Sequence, residues 1–302
     1  MHRGRFAPSP TGSLHVGNLR TALVAWLGAA SRAGDFVVRV EDLDRANSSV
    51  ANEASQLADL RAIGIESSGD VMRQSDRFEA YESVIEQLTA DGLTYPCYCT
   101  RREIREAVSA PHGDLPEGAY PGTCRDLTGA ERRAREEEGR PPALRLRTAG
   151  ERYRFVDLLV GEVEGGVDDV VLRRNDGVPA YNLAVVVDDA WQQVDEVVRG
   201  DDLLMSTPRQ MHIQKLLGYA HPRYAHVPLV IGSDGERLAK RHGAVTLADL
   251  ESLGETAIAV RAELLGSLGL SRDFEDARAT FDWSNVVRSP WMIPERWQTL
   301  SS

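Results

Sequence analysis

The sequence predicts an α/β protein built on a parallel sheet. The first 40 residues read as strand, turn, helix and strand, the opening of such a sheet. Further strand-like apolar runs alternate with helical periods along the rest of the chain. The length of 302 residues, at roughly 100–200 per domain, leaves room for a second unit or an insertion. A hydrophobic fraction of 42% sets aside wholesale disorder and fibrous classes.

Taken in order, Arg5 to Ala7 end a short strand that runs into a Pro/Gly turn. From Leu14 onward Val16, Leu19, Leu23, Trp26, Leu27 and Ala30 recur at helical spacing, with Gly34 as the stop. Residues 35–40 read as a buried strand. Helices are expected near 49–63 and 76–91, the second with Asp76 and Glu79 at capping-box spacing. Residues 94–126 hold all the cysteines with several prolines and glycines, and read as irregular structure in need of a staple. Thr128 and Glu131 make a second capping box, and strand-like pieces occupy 143–187. The apolar run Ala184 to Val187, before Asp188 and Asp189, reads as a central strand ending at a site. A helix at 207–218, a strand from Val227 to Ile231 and helices after Thr246 complete the pattern. Trp283, Trp291 and Trp297 in the tail imply that it packs on the body.

Lys and Arg total 35 against 46 for Asp and Glu, a formal charge of −11. That excludes a uniformly basic nucleic-acid binder, so any polynucleotide contact must be a local basic patch. The N-terminus, MHRGRFAPSPTG, lacks the apolar core of a secretory signal. The longest apolar stretch, Ala22 to Ala30, is about half of the roughly 20 residues that span a bilayer, so no membrane partner is expected. Three cysteines, all between 97 and 124, are an odd number and make no disulfide framework, which points to the cytoplasm.

Two constellations carry chemistry. Arg5-Phe-Ala-Pro-Ser-Pro-Thr-Gly12 leads into His15-Val-Gly-Asn18, a small-residue turn between strand and helix. Such a turn lets backbone approach a ligand, and the helix start favours phosphate. A plainer reading makes His15 simply the helix cap. The second, Ile231 to Gly243, is a Gly-rich loop carrying Arg237, Lys240 and Arg241, able to place an ammonium on polyphosphate or merely to be solvated.

Together with RVEDLD (39–44), VVDD (186–189), VRGDDLL (198–204) and RLAKRHG (237–243), these motifs resemble the catalytic domain of class I glutamyl-tRNA synthetases. HVGN stands where that family has its HIGH signature and RLAKR where it has KMSKS. The resemblance implies a Rossmann-like parallel sheet over residues 1–93 and 176–243, an inserted connective domain at 94–175 and a helical C-terminal region at 244–302. That last stretch is short for the family's anticodon-binding domain. With the Cys-x-Cys segment, this narrows the resemblance to the truncated branch that attaches glutamate to the queuosine base in the anticodon of tRNA(Asp). A monomer is expected, with that tRNA and L-glutamate as partners.

The family's amino-acid contacts map onto Arg5, Ala7, Ser9, Glu41, Tyr181 and Arg199. Glu41 would pair with the ammonium and the arginines with carboxylates, unless Arg39 or Arg45 simply holds Glu41 in a salt bridge. The family commonly has Asn where this chain has Val185, which implies weaker glutamate binding. His15 and Asn18 would hold the phosphates of ATP and Lys240 the leaving pyrophosphate, with Mg²⁺ accompanying ATP. Cys97, Cys99 and Cys124 read as a structural Zn²⁺ site. Chemistry alone suggests His112 as fourth ligand, whereas the resemblance implies Tyr120; three reduced cysteines without metal is the plain alternative. Arg101, Arg102, Arg105, Arg132, Arg133 and Arg135 are candidate phosphate contacts, or solvated helix faces, since glutamates interleave with them. The competing functions are a synthetase fragment charging a tRNA 3′ end, and a non-catalytic paralogue that binds glutamate or tRNA.

Overall fold

A computed structural model describes residues 2–108, 119–232, 235 and 245–298. The opening unit is β1 (Arg3–Phe6), α1 (Val16–Ala30) and β2 (Asp35–Val40), with β1 and β2 parallel from the pair Arg3–Asp35 to Phe6–Val38. α1 is buried on more than one face, from Val16 and Leu19 through Leu23 to Ala29, so it is a core helix rather than a surface one. It stops without glycine in the left-handed position: Ser31 is its C-cap and Ala33 takes φ 49°. Gly34, expected as the stop, serves instead a close approach, because a Cβ there would lie 2.7 Å from the His2 carbonyl.

There follow α2 (Val50–Ala62), β3 (Met72–Arg73) and α3 (Phe78–Ala90). The Asp76 capping box is absent. Residues 74–77 form a 3₁₀ turn, and the N-cap of α3 is Arg77, with no side-chain cap bond. The carboxylate that meets a free N–H there is a tertiary one, Asp42 Oδ1, 2.8 Å from the Ser75 nitrogen. Residues 94–126 are more regular than expected: β4 (Thr94–Cys97) and α4 (Arg101–Val108) fall within them. α5 (Gly129–Glu137) begins with the predicted Thr128–Glu131 box.

The chain continues through β5 (Ala143–Leu146), β6 (Arg152–Asp157), β7 (Gly161–Gly166) and β8 (Val171–Arg173). Next come α6 (Tyr181–Trp191), β9 (Glu196–Gly200), α7 (Thr207–Leu217) and β10 (Arg223–Val227). Ala184 to Val187 is thus one turn of α6 and not a central strand. Leu183 to Asp189 are all buried, and a helix enclosed on every side shows no period by which to tell it from a strand. The strand expected at Val227 to Ile231 is also divided: β10 ends at Val227, β11 (Val230–Ile231) follows, and Pro228, with no N–H to donate, stands between them. The chain closes with α8 (Leu247–Ser252), α9 (Ala257–Ser267), α10 (Phe274–Thr280), β12 (Trp291–Met292) and α11 (Glu295–Gln298).

The main sheet has the order β3-β2-β1-β9-β10-β6-β7, parallel except for the final β6–β7 hairpin. β4, β5 and β8 make a separate antiparallel sheet. Thus β6 and β7, which lie within the stretch 94–175, extend the main sheet. One face of the main sheet carries α1 with Leu60, Ile63, Leu264 and Trp297; α6, α3 and α7 share a second cluster with Tyr81, Ile85, Val185 and Ile213. The tail does pack on the body: Trp297 is fully buried and β12 pairs in parallel with β11. Between β1 and β9 the chain direction of strand addition reverses, which is where ligands bind in open α/β sheets, outside the carboxyl ends of the strands.

Candidate active site

At that switch point lies a cavity of about 520 Å³, within the range of small-molecule sites. Arg5 reaches it from β1, Arg199 from β9, Glu41 from just beyond β2, His15 and Asn18 from the start of α1, and Tyr181 from the start of α6; Ala7 and Ser9 lie in the same wall. Residues separated by up to 194 positions therefore converge, and every expected glutamate- and ATP-site residue except Lys240 lines this one cavity. Lys240, Arg237 and Arg241 lie outside the described residues. Their flanks do not: Val230 lines the cavity, and the Val16 nitrogen donates to the Val245 carbonyl at 2.9 Å.

The loop before α1 is pinned from behind. Gln56 of α2 donates to the carbonyls of Ser9 (3.0 Å) and Gly12 (2.6 Å), and the Glu41 nitrogen donates to Pro8 at 2.9 Å. His15 is the N-cap of α1. Its Nδ1 accepts from the nitrogens of Gly17 (3.1 Å) and Asn18 (3.3 Å), while Asn18 Oδ1 accepts from the His15 nitrogen. The plain capping role therefore holds, and it also fixes the tautomer: with Nδ1 accepting, the ring proton sits on Nε2. Gly17 leaves room for this ring position, since a Cβ there would lie 3.0 Å from the imidazole and push it aside by a few tenths of an ångström.

The charged floor is a chain of buried pairs. Arg39, fully buried, donates to Asp189 (2.6 Å), Gln192 (3.0 Å) and Glu41 (3.1 Å), and Arg5 donates to the Val198 carbonyl with its Nε 3.5 Å from Asp189. Burial works against the Asp189 charge, but Arg39 and Arg5 hold its pKa below the usual carboxylate range. For Glu41 burial prevails over the pull of the same two arginines, and its pKa is raised. Arg39 is thus the structural partner of Glu41 that the sequence leaves open, and Arg45 instead sits over the Phe78 ring.

Arg199 is held by residues that sequence reading does not single out. Its guanidinium donates to His226 Nε2 (3.0 Å), Gln210 Oε1 (2.8 Å) and Thr207 Oγ1 (2.8 Å). His226 Nδ1 in turn meets Asp157 Oδ2 at 2.6 Å, with both side chains fully buried. An imidazole that accepts from Arg199 must donate to Asp157, so the order of donors is set. Burial lowers the His226 pKa against the Asp157 hydrogen bond, which keeps the ring neutral. Val185, at the position where the family commonly has asparagine, is buried in the α6 core.

The cysteines converge as expected. Cys97 ends β4, and the thiol sulfurs of Cys97, Cys99 and Cys124 all lie within 4.8 Å of one another. The Tyr120 hydroxyl sits among them, 3.3 Å from Cys97 and 3.5 Å from Cys99, and Cys99 to Cys124 is 3.4 Å. These separations are too long for a disulfide and near the roughly 3.8 Å edge of a tetrahedron with 2.3 Å zinc–sulfur bonds. The set of three soft thiols and one phenol oxygen fits zinc. Burial raises the Tyr120 phenol pKa. His112 lies outside the described residues. The arginines of α4 and α5 are exposed, with Arg102 paired to Glu106 and Arg135 to Glu138, except Arg132, which is half-buried.

Residues 2–290 match the family model for class I tRNA synthetases (E and Q), catalytic domain. A glutamyl-Q tRNA(Asp) synthetase of Nocardia farcinica is 57% identical over 97% of this chain and 93% of its own length. Another, of Symbiobacterium thermophilum, is 46% identical over 96% and 95%. Among solved structures, the glutamate-tRNA synthetase of Elizabethkingia anophelis superposes with a TM-score of 0.82 at 26% identity, over 99% of this chain and 69% of that one. The chain belongs to the class I tRNA synthetases of the E and Q type and, within them, to the family of the glutamyl-Q tRNA(Asp) synthetases. It is a ligase. No helix among the described residues is long and apolar enough to cross a membrane.

Proposed function

We propose that the chain activates L-glutamate with ATP in the absence of tRNA and transfers it to the queuosine base in the anticodon of a tRNA(Asp). The observation that carries the first half is the convergence of Arg5, Arg199 and Glu41 with His15 and Asn18 in one cavity. The names of the near-full-length relatives support the second half.

Glutamate brings two carboxylates and one ammonium, and the cavity answers with two buried arginines and one carboxylate. Glu41 is the member of the floor whose charge is least compensated, so an ammonium beside it restores the balance. A glutamate carboxylate oxygen attacks the α-phosphorus of ATP; the bond to the β-phosphate oxygen breaks and pyrophosphate leaves with that electron pair. No proton moves, so catalysis is positional and electrostatic. His15 donates its Nε2 proton to a phosphate oxygen, and the positive end of the α1 dipole adds its attraction, the N–H groups of the first turn being already engaged by His15 and Val245. Lys240 neutralises the departing pyrophosphate. Mg²⁺, held chiefly by the phosphates themselves, neutralises further charge when bound. The enzyme works as a cytoplasmic monomer, where its tRNA and ATP are.

Zinc is assigned a structural role, held by Cys97, Cys99, Cys124 and Tyr120. The purified protein is expected to carry one equivalent of zinc, and Cys97→Ser to lose it. Tyr120→Phe should weaken retention against a chelator while His112→Ala leaves it unchanged. The reverse pattern would give the fourth position to His112.

ATP–pyrophosphate exchange tests the activation step. Exchange that depends on glutamate and proceeds without any tRNA is expected. An absolute requirement for tRNA would contradict the reading.

A further inference from the structure

One charged side chain of the core has no part in the chemistry above. Arg20, in the second turn of α1, is 1% exposed. Its Nε donates to Ser267 Oγ (2.9 Å), its Nη1 to the Pro228 carbonyl (2.8 Å) and its Nη2 to the Ser267 carbonyl (3.3 Å). None of these acceptors is a carboxylate. Burial lowers the Arg20 pKa to about 10, with Asp201 opposing. A desolvated guanidinium held by neutral acceptors costs stability that an apolar residue of similar size would not, so packing alone does not account for it.

Its acceptors lie where one wall of the activation cavity is made. Pro228 divides β10 from β11, and its carbonyl takes the Arg20 bond rather than a ladder bond. Pro228, Leu229 and Val230 all line the cavity, and a Cβ on Gly17 would lie 3.5 Å from Val230 Cγ2. From here the chain pairs with the tail, the Leu229 carbonyl accepting from the Trp291 nitrogen (3.2 Å) and the Ile231 carbonyl from that of Ile293 (3.1 Å). It then passes through the sequence that carries Lys240 to Val245, whose carbonyl accepts from the Val16 nitrogen. α1 thus holds the chain on both sides of that sequence, through Arg20 at Pro228 and through Val16 at Val245. The residues that answer glutamate are fixed by a separate set, Arg39, Asp189, His226, Gln210 and Thr207.

We infer that Arg20 is a positioning residue for activation: it fixes the Pro228–Val230 wall to α1, the helix capped by His15, and thereby sets the ATP side of the cavity. This role rests on the activation reading above, in which His15 and Lys240 act on the phosphates. Arginine suits it because a planar fork binds two elements at once in a fixed geometry, α9 through Ser267 and the strand junction at Pro228. Lysine carries the same charge on one nitrogen and does not span both. A wall misplaced by about 1 Å costs up to about a hundredfold in rate.

Arg20→Met keeps an unbranched apolar stem and removes every donor. In ATP–pyrophosphate exchange its kcat should fall about tenfold or more and its KM for ATP rise about threefold or more, with the KM for glutamate within about twofold of wild type. Arg20→Lys should recover part of the loss. Ser267→Ala, which removes the hydroxyl and leaves the Pro228 bond, should lower the unfolding temperature and keep both KM values. Calorimetric titration with glutamate alone counts the folded sites, a number expected to be unchanged in all three. Wild-type kcat and ATP KM in Arg20→Met overturn the inference, and so does an equal rise in the two KM values. A lower rate with both KM values unchanged and a matching fall in glutamate-binding sites also overturns it, since that is what a merely structural role produces. An ATP defect in Ser267→Ala equal to that of Arg20→Met would take the role from the Pro228 bond. If Arg20→Met yields no folded protein, Arg20→Lys decides by the same two KM values. Failure of the activation reading is distinct: the wild-type protein would then show no exchange at all.

Discussion

Arg199→Ala is expected to lower kcat/KM for glutamate in ATP–pyrophosphate exchange by two to three orders of magnitude, with the KM for ATP nearly unchanged. The guanidinium is buried and its position is fixed by His226, Gln210 and Thr207. Removing one partner of a desolvated charge pair costs about 2–5 kcal/mol, and each 1.4 kcal/mol or so is tenfold in affinity. Discrimination against glutamine should weaken in the same variant, because the arginine facing a neutral amide is what penalises that substrate. Unchanged kinetics for glutamate would remove Arg199 from the pocket. His226→Ala and Asp157→Asn should reproduce part of the effect on the glutamate KM while sparing ATP, since both act through Arg199.

The same triad has a pH signature. Burial depresses the His226 pKa, so the folded protein resists a proton that the unfolded chain accepts. The unfolded state then binds more protons below the ordinary histidine range, and stability falls as pH drops through about 6.5. Above that pH the contribution is fully present. Thermal unfolding of the wild type against His226→Asn at pH 7.5 and 5.5 should show the pH-dependent part reduced in the variant.

Lys240→Ala is the second large expected effect: exchange should fall by about a hundred- to a thousandfold, the usual worth of one group that stabilises transition-state charge. The fold and the glutamate KM should be nearly unaffected. Lys240 lies outside the described residues, but Val230 and Val245 tie the flanks of its segment to the cavity and to the start of α1. His15→Ala should match it in rate and also lose about 1 kcal/mol of stability with the cap. His15→Asn, which can keep the cap but not the Nε2 donor, should recover the stability and not the rate. Full exchange in Lys240→Ala would take the lysine out of the mechanism.

What the sequence made legible was local. The β1-α1-β2 unit could be read because a long helical period separates two strands, and the Thr128 cap because its partner is three residues away. α6 was misread because burial on every side leaves no period, and the strand at Val227 to Ile231 because a proline within an apolar run divides it. The Asp76 cap failed for a different reason, as Asp76 lies inside a 3₁₀ turn over residues 74–77 and the helix begins only after Arg77. The site followed the same rule. Arg5, Glu41, His15 and Arg199 belong to motifs and were readable from their order. Gln56, Asp157 and His226 were not, since each acts on a partner 27 to 69 positions away that only the fold brings near. The cysteine cluster was visible as a spacing, but the seat of the Tyr120 hydroxyl between sulfurs came from the structure alone.

The most direct test of the central claim is to incubate the protein with labelled glutamate, ATP and queuosine-containing tRNA(Asp), digest the product, and locate the label. Label is expected on the queuosine nucleotide of the anticodon, and none when the same tRNA lacks queuosine. Label on the 3′-terminal adenosine would contradict that claim and make the chain a synthetase of the ordinary kind.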